Sequence, residues 1–217
     1  MASEIQIKVA KALLKIGAVG FSPHKPITFK SGLISPVYVD NRRLIFWPEQ
    51  WHIIIQGFQQ LVFEAGIQLE VIAGIETAGI PHSAALAFEM QMPSVFVRKQ
   101  AKEHGTKSRI EGGGVEDKRV LLIEDLVTTG GSSLSGVEAL RADEAIVTDC
   151  LAIVSYGFPQ AATAFAAAGV TLHTLTNFSV ICEQALEAGY FSADEMIIIQ
   201  DWFSDAPNWA AKYGFAK

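Results

Sequence analysis

The sequence has few of the features that mark secreted, membrane-spanning or nucleic-acid-binding proteins. Only two of its 217 residues are cysteines, Cys150 and Cys182, and neither has histidine or cysteine neighbours at the spacing of a zinc site. A disulfide framework is therefore excluded, and a reducing cytoplasm is the expected location. No apolar run approaches the about 20 residues that cross a membrane, and the N-terminus lacks the basic and apolar regions of a secretory signal. The formal net charge of −6 argues against a nucleic-acid partner, which requires an excess of lysine and arginine.

The apolar residues that are present are sufficient for one large core. Half of the side chains are hydrophobic and no linker or repeat interrupts them, so we expect residues 1–217 to form one domain. Strand-like runs alternate with helical patterns after residue 70, which predicts an α/β fold with a five-stranded, mostly parallel sheet flanked by helices. A small hairpin is expected outside this sheet, in an N-terminal hood at about 20–45. The predicted strands are 71–74, 94–97, 119–124, 145–154 and 170–175, and the predicted helices are 3–16, 48–65, 80–90, 134–141, 159–168 and most of the chain from 178.

One stretch, residues 120–133, joins the end of a strand to a turn rich in glycine and hydroxyl groups. Four apolar residues lead into Glu124 and Asp125, and Leu126 and Val127 are followed by TTGGSS. Glycines allow the backbone N–H groups of such a turn to face an anion, and the helix that follows adds the positive end of its dipole. Carboxylates at the carboxyl end of a strand can accept hydrogen bonds from vicinal hydroxyls. The stretch therefore suits a phosphorylated sugar.

The stretch alone leaves two interpretations open. It has no lysine after the glycines, as a P-loop needs, and no Gly-x-Gly-x-x-Gly, as a dinucleotide-binding fold needs. Turns rich in glycine, serine and threonine are common between strands and helices, and an acidic residue at a strand end is often a solvated cap. A sugar-phosphate site and an ordinary turn both fit this pattern.

A basic segment precedes the strand at 119–124. Residues 98–111 carry five basic and two acidic side chains, a local charge of +3 in a chain of net charge −6. A mobile cationic loop suits a pyrophosphate leaving group, because its closure neutralises charge and excludes water. A solvated loop is the alternative. We expect a flexible catalytic lid at about 98–117, in which Arg98, Lys99, Lys102 and His104 meet the anion.

Three stretches together resemble orotate phosphoribosyltransferases, which belong to the type I phosphoribosyltransferase family. They are residues 29–40 (FKSGLISPVYVD), residues 97–105 (VRKQAKEHG) and the stretch at 120–133. The third is similar to the motif that binds 5-phosphoribosyl 1-pyrophosphate (PRPP) throughout that family, and the first two are typical of the orotate enzymes. The resemblance covers essentially the whole chain. It implies the type I fold and the transfer of the phosphoribosyl group of PRPP to orotate, which gives orotidine 5′-monophosphate and pyrophosphate in pyrimidine biosynthesis.

The resemblance also implies roles for individual residues. Lys102, His104 and Asp125 would be catalytic, the first two assisting the leaving group electrostatically as the anomeric carbon passes through an oxocarbenium-like state. The residues implied for orotate are Lys30, Tyr38, Val39 and Thr128. Those implied for PRPP and its pyrophosphate are Arg98, Lys99, Lys102, His104, Glu124, Asp125, Leu126, Val127, Thr128, Thr129, Gly130, Gly131 and Ser132.

The cofactor and the partner subunit follow from the same resemblance. It implies Mg²⁺, and we expect no direct protein ligand because Mg²⁺ retains waters and binds the oxygens of PRPP. It also implies a homodimer in which each lid reaches into the neighbouring site. Trp202, Phe203 and Trp209 are expected to pack against the body of the chain or against the partner subunit.

Two positions depart from the family pattern. Many members have a lysine that contacts pyrophosphate where this chain has Ala78, and many have an Asp-Arg pair, whose arginine holds the orotate carboxylate, where this chain has Ser155-Tyr-Gly-Phe158. Backbone amides near Ser35, or Arg42 or Arg43, are the candidates for the carboxylate. Two other functions therefore stay open: a phosphoribosyltransferase for another nucleobase, and a non-catalytic regulator that senses PRPP.

Overall fold

Between residues 71 and 187 most strands of the chain are followed directly by a helix. The computed structural model describes residues 2–29, 32–100 and 108–215, and no helix in these ranges is both long and apolar enough to cross a membrane. The helices are α1 (Glu4–Lys15), α2 (Pro48–Glu64), α3 (Gly79–Met90), α4 (Gly131–Ala142), α5 (Pro159–Ala167), α6 (Phe178–Glu187), α7 (Ala193–Ser204) and α8 (Ala206–Lys212), with a 3-10 helix at Asn41–Phe46. The strands are β1 (Val19–Phe21), β2 (Ile27–Thr28), β3 (Ile34–Ser35), β4 (Val37–Val39), β5 (Val71–Ile75), β6 (Ser94–Val97), β7 (Ile110–Glu111), β8 (Val120–Val127), β9 (Asp149–Ser155) and β10 (Thr171–Asn177).

The central sheet has the strand order β10-β9-β8-β5-β6-β7. The first five of these strands are parallel, which confirms the predicted five-stranded parallel arrangement. At the edge, β7 pairs antiparallel with β6, with Ile110 opposite Val97, and adds a sixth strand that the sequence did not predict. A two-residue strand is too short to show a hydrophobic period.

Three predicted boundaries near β8 and β9 are wrong. Strand β8 ends at Val127 instead of 124, so the acidic pair and the two apolar residues after it continue the strand. Helix α4 begins at Gly131 instead of 134, because its first turn is Gly-Ser-Ser and carries no apolar side chain that would reveal the helical period. Strand β9 begins at Asp149 instead of 145. Ala145 lies in the turn that follows α4, where its N–H donates to Leu140 O at 3.0 Å. The α4 helix therefore starts at the second glycine of the pair, with Gly130 as its N-cap.

Strand β8 is buried on both faces of the sheet, which accounts for its apolar run. Leu121 and Ile123 belong to the core that also contains residues of α1, α2, α3 and α6, whereas Val120 and Leu122 belong to the core that contains residues of α4 and α5. Successive side chains of a strand point to opposite faces, so both sets must be apolar. The strand leaves this environment at its carboxyl end, where Asp125 and Leu126 are only partly buried.

The hood lies outside the main sheet as two small antiparallel pairs, β1 with β4 and β2 with β3. Helices α7 and α8 fasten it to the body. The fully buried Trp202 donates its indole N–H to Ile34 O at 2.9 Å, and Trp209 donates to Ile198 O at 3.0 Å. Both tryptophans thus pack within the chain's own core. The hood lies at the carboxyl edge of the sheet, where Tyr38 and Val39 line one cavity with Leu126 of β8.

Candidate active site

The turn between β8 and α4, called the cradle below, presents backbone N–H groups that suit an anion. The first hydrogen bond of α4 runs from Leu134 N to Gly130 O at 2.9 Å, so the N–H groups of residues 131–133 have no acceptor within the helix. These groups and the positive end of the helix dipole favour an anion at this point. Gly130 has a φ of 87°, and a Cβ there would lie 2.9 Å from Phe165 Cε2. The cradle therefore requires glycine at position 130 for both backbone and packing reasons.

The acidic pair lies at the carboxyl end of β8, beside the cradle. Glu124 is 5% exposed and accepts hydrogen bonds from Asp125 N at 3.1 Å and from Ser133 Oγ at 3.4 Å. Burial, and then the neighbouring Asp125 carboxyl, raise the pKa of Glu124 to about 8. Burial also raises the pKa of Asp125, while hydrogen bonds and the charge of Arg42 act in the opposite direction. A ligand that donates hydrogen bonds or brings a cation would favour the ionised forms of this pair.

A cavity of about 760 Å³ opens next to the acidic pair. Tyr38, Val39 and Thr128, which the sequence assigned to orotate, line it together with Leu126 and Thr129. The C-terminal residues Phe203–Pro207 form part of its wall. The structure thus brings strand β4, the cradle, the end of α7 and the start of α8 around one mostly apolar space.

Val127 and Lys30 differ from the other assigned residues. The side chain of Val127 is buried in the core below the sheet edge, so this residue offers a ligand only its backbone. Its carbonyl oxygen already accepts a hydrogen bond from Tyr156 N at 3.0 Å. Lys30 lies outside the described residues.

The segment that replaces the family's Asp-Arg pair is built from aromatic packing. Tyr156 lines the cavity, and its ring stacks on Phe158 at 5.8 Å and on Phe178 at 4.8 Å between centroids. Gly157, with a φ of 76°, donates its N–H to Ser155 Oγ at 3.0 Å and closes the turn. Aromatic side chains therefore line the cavity at the segment where the resemblance would place an arginine.

A second cavity, of about 270 Å³, is lined by the basic residues Arg98 and Lys99, where the predicted lid begins. This start of the lid is called its foot below. Arg109 and, from the cradle, Ser132 also line this cavity. Arg109 donates from Nε to Arg98 O at 2.7 Å and from Nη1 to Ser135 O at 2.9 Å, which ties the lid to helix α4. The remaining assigned lid residues, Lys102 and His104, lie outside the ranges that the structure describes.

The turn after β5 faces the same foot of the lid. Glu76 accepts a hydrogen bond from Lys99 N at 2.8 Å, and Ala78 is the N-cap of α3. The methyl group of Ala78 supplies no charge to this turn. Any cation that meets an anion at this turn must come from another residue of the chain or from a partner subunit.

Asn41 is a site residue that sequence reasoning missed. It is fully buried and donates from Nδ2 to Asp125 O at 2.8 Å, whereas its Oδ1 has no partner among the described residues. The two partners are 84 positions apart in the chain, so no local pattern indicates the contact. Asn41 therefore fixes the acidic pair relative to the hood.

Comparison with known proteins agrees with this geometry. The family model for the phosphoribosyl transferase domain matches residues 47–155. The chain is 40% identical to the orotate phosphoribosyltransferase of Coxiella burnetii over 93% of its length and 97% of the relative's, and 41% identical to that of Streptococcus pneumoniae over 93% and 96%. The crystal structure of orotate phosphoribosyltransferase from Aeropyrum pernix is similar with a TM-score of 0.74 and 30% identity, covering 85% of this chain and 99% of that one. The chain therefore belongs to the orotate phosphoribosyltransferase family.

Proposed function

We propose that this protein transfers the phosphoribosyl group of PRPP to orotate, giving orotidine 5′-monophosphate and pyrophosphate in pyrimidine nucleotide biosynthesis. One observation carries the proposal: the cradle, the acidic pair and the aromatic cavity adjoin one another along residues 124–131. A ligand that uses all three needs a phosphate, vicinal hydroxyls and a planar base. The 40% identity to curated orotate phosphoribosyltransferases supports orotate as that base.

Each part of the site has a role in this reaction. The cradle at Thr128–Ser132 holds the 5′-phosphate, and Glu124 and Asp125 accept hydrogen bonds from the ribose hydroxyls. The base lies against Tyr38 and Val39 with Lys30 nearby. Arg98 and Lys99 neutralise the pyrophosphate from the foot of the lid.

In the chemical step, N1 of orotate bonds to the anomeric carbon as the bond from that carbon to the pyrophosphate oxygen breaks, and the proton of N1 passes to the leaving pyrophosphate. The electron pair of the broken bond leaves with pyrophosphate. Lys102 and His104 stabilise the negative charge that develops there, and Asp125 stabilises the positive charge on the ribose ring. Closure of the lid excludes water, which would otherwise hydrolyse PRPP.

The donor set near the ribose fits Mg²⁺ that is held mainly by PRPP and water. The described residues contain no group of three His, Cys, Asp or Glu side chains that could hold a metal, and the adjacent carboxyls of Glu124 and Asp125 supply oxygen acceptors. Mg²⁺ bound with PRPP would neutralise part of the pyrophosphate charge. Glu124 and Asp125 would hold that complex through the ribose hydroxyls.

The assembly belongs to the same proposal. We infer that residues 1–217 act as one cytoplasmic domain in a homodimer whose lids reach into the neighbouring sites. Phe46, Phe63 and Phe88 are 79%, 87% and 86% exposed, and such aromatic side chains on a surface are typical of a subunit interface.

Turnover with a panel of bases tests the proposal. The protein is incubated with PRPP and with orotate, uracil, adenine or hypoxanthine, each with and without Mg²⁺. We expect orotate alone to be consumed, and only when Mg²⁺ is present. Consumption of another base in its place would identify a different phosphoribosyltransferase, and nucleic-acid binding without any turnover would identify the regulator.

A further inference from the structure

The base cavity has no cationic partner for a carboxylate among its described lining residues. Among its described lining residues there is no arginine, lysine or histidine, and the aromatic rings of Phe29, Tyr156 and Phe203 dominate the walls. An anionic carboxylate moved from water into such a space loses its hydration and needs hydrogen-bond donors. Orotate carries this group next to N1, so the chain must supply donors close to the ribose.

Arg42 is a cation held at the edge of this cavity. Its Nε donates to Asp40 Oδ1 at 2.5 Å, and its Nη2 donates to the phenol oxygen of Tyr38 at 3.3 Å. Its charge also lowers the pKa of Asp125, so it acts on the ribose side of the cavity. Because the Tyr38 oxygen accepts from Arg42, the Tyr38 proton is free to be donated to another acceptor.

A second phenol faces the same space. Tyr156 lines the cavity, and its hydroxyl has no hydrogen-bond partner within the described ranges. Burial raises the pKa of Tyr156, and the nearby Tyr38 raises it further, so the Tyr156 phenol is a neutral donor at pH 7. Two O–H donors match the two oxygens of one carboxylate.

The other sequence candidates have different neighbours. Of the backbone amides near Ser35, that of Val37 already donates to the Ser35 hydroxyl at 3.2 Å. The guanidinium of Arg43 lies by Gly17, where a Cβ would be 3.8 Å from Nη2. Neither residue lines the cavity.

We propose that the hydroxyls of Tyr38 and Tyr156 bind the carboxylate of orotate, and that Arg42, held by Asp40, acts through Tyr38 as a positioning residue that makes this donor stronger. The proposal rests on orotate as the substrate and names what selects it. A charged group behind a neutral donor polarises it, which strengthens the hydrogen bond to an anion. Uracil, which lacks the carboxylate, gains nothing from this arrangement.

The affinities for two nucleotides isolate the contribution of the carboxylate to binding. Orotidine 5′-monophosphate and uridine 5′-monophosphate differ only by this group, and titration calorimetry measures both without turnover. We expect the wild-type protein to prefer the first nucleotide, and Tyr38→Phe, Tyr156→Phe and Arg42→Gln each to reduce this preference by about 10-fold. Tyr38→Phe and Arg42→Gln should be strongly non-additive, because they interrupt one chain of hydrogen bonds. Arg43→Gln, the matched control, should leave the preference unchanged.

Several results would overturn the inference. If Arg42→Gln weakens both nucleotides equally, Arg42 acts on the ribose or the phosphate and not on the carboxylate. If none of the three variants changes the preference, the carboxylate is bound elsewhere. A wild-type protein that binds both nucleotides equally and consumes no orotate would instead contradict the proposed function.

Discussion

At the scale of single residues, Glu124 shows how function and stability oppose each other in this site. Its folded-state pKa of about 8 lies above its ordinary value of 4.5 because it is buried. The folded protein therefore binds more protons than the unfolded chain between these pH values, and stability falls as the pH rises through this window. We predict that Glu124→Gln, which cannot ionise, raises the unfolding temperature relative to wild type by an amount that grows from pH 5 to pH 8. The same change should reduce kcat/KM for PRPP by about 10- to 100-fold, since it removes a charged hydrogen-bond acceptor.

Thermal unfolding at several pH values checks the first part of this prediction. Glu89→Gln changes an exposed glutamate on α3 and serves as the control, with no expected change in pH dependence. A stabilisation by Glu124→Gln that is the same at pH 5 and pH 8 would show that the carboxyl does not titrate in this range.

The chemistry of individual residues was predictable only where neighbours in sequence are also neighbours in space. Glu124, Asp125 and the cradle come from one continuous stretch, so their adjacency can be read directly. Asn41 contacts Asp125 across 84 positions, and Tyr156 meets Tyr38 only when the hood lies over the sheet. These contacts depend on tertiary packing, which a local pattern does not contain.

At the scale of elements, the junction of β8 and α4 depends on one glycine. Gly130→Ala would place a Cβ against the Phe165 ring in a left-handed conformation, which costs about 1–2 kcal/mol in backbone energy alone. We predict a lower unfolding temperature and a KM for PRPP that rises by about 10-fold or more as the N–H groups of the cradle move. Steady-state kinetics with PRPP as the varied substrate provides the measurement.

Gly169→Ala separates the two effects of that change. Gly169 has a φ of 62° and follows α5, and no atom lies within 4 Å of a Cβ there. The Gly169→Ala variant should be less stable than wild type and should have an unchanged KM for PRPP. Equal kinetics for both alanine variants would mean that the cradle does not bind PRPP.

Elements were predictable where a hydrophobic period or a buried run extends over several residues. The parallel strands and the helices meet this condition, and the prediction holds for them. The two-residue strand β7 and the polar first turn of α4 do not, because neither has an apolar side chain at a repeating position. The lid was predicted from its charges, which indicate that it meets an anion. They do not indicate where the lid lies in the fold.

At the scale of the whole molecule, the proposed dimer makes a prediction about shared sites. Lys102→Ala and Asp125→Asn should each reduce turnover by orders of magnitude without loss of the fold, because one removes a lid cation and the other a ribose carboxylate. When the two variants are co-expressed, a mixed dimer has one site with an intact lid and an intact acidic pair if lids act on the neighbouring subunit. Activity should then return to roughly a quarter of wild type for random pairing in a twofold dimer.

The control for this experiment pairs Lys102→Ala with the double variant Lys102→Ala/Asp125→Asn, which has no intact lid and should stay inactive. Mixed dimers are verified by differently tagged subunits. Mixed dimers that form but show no recovery would place each lid over the site of its own subunit.

If one site binds PRPP and orotate and transfers the phosphoribosyl group between them, loss of orotate and release of pyrophosphate must be coupled. A single time course measures this coupling. With PRPP and Mg²⁺ present, the loss of orotate is followed by its ultraviolet absorbance while released pyrophosphate is measured in the same samples. We predict that orotate disappears and that orotidine 5′-monophosphate and pyrophosphate appear in equal amounts. A folded protein that binds PRPP but leaves orotate unchanged, or that releases pyrophosphate without forming the nucleotide, would contradict it.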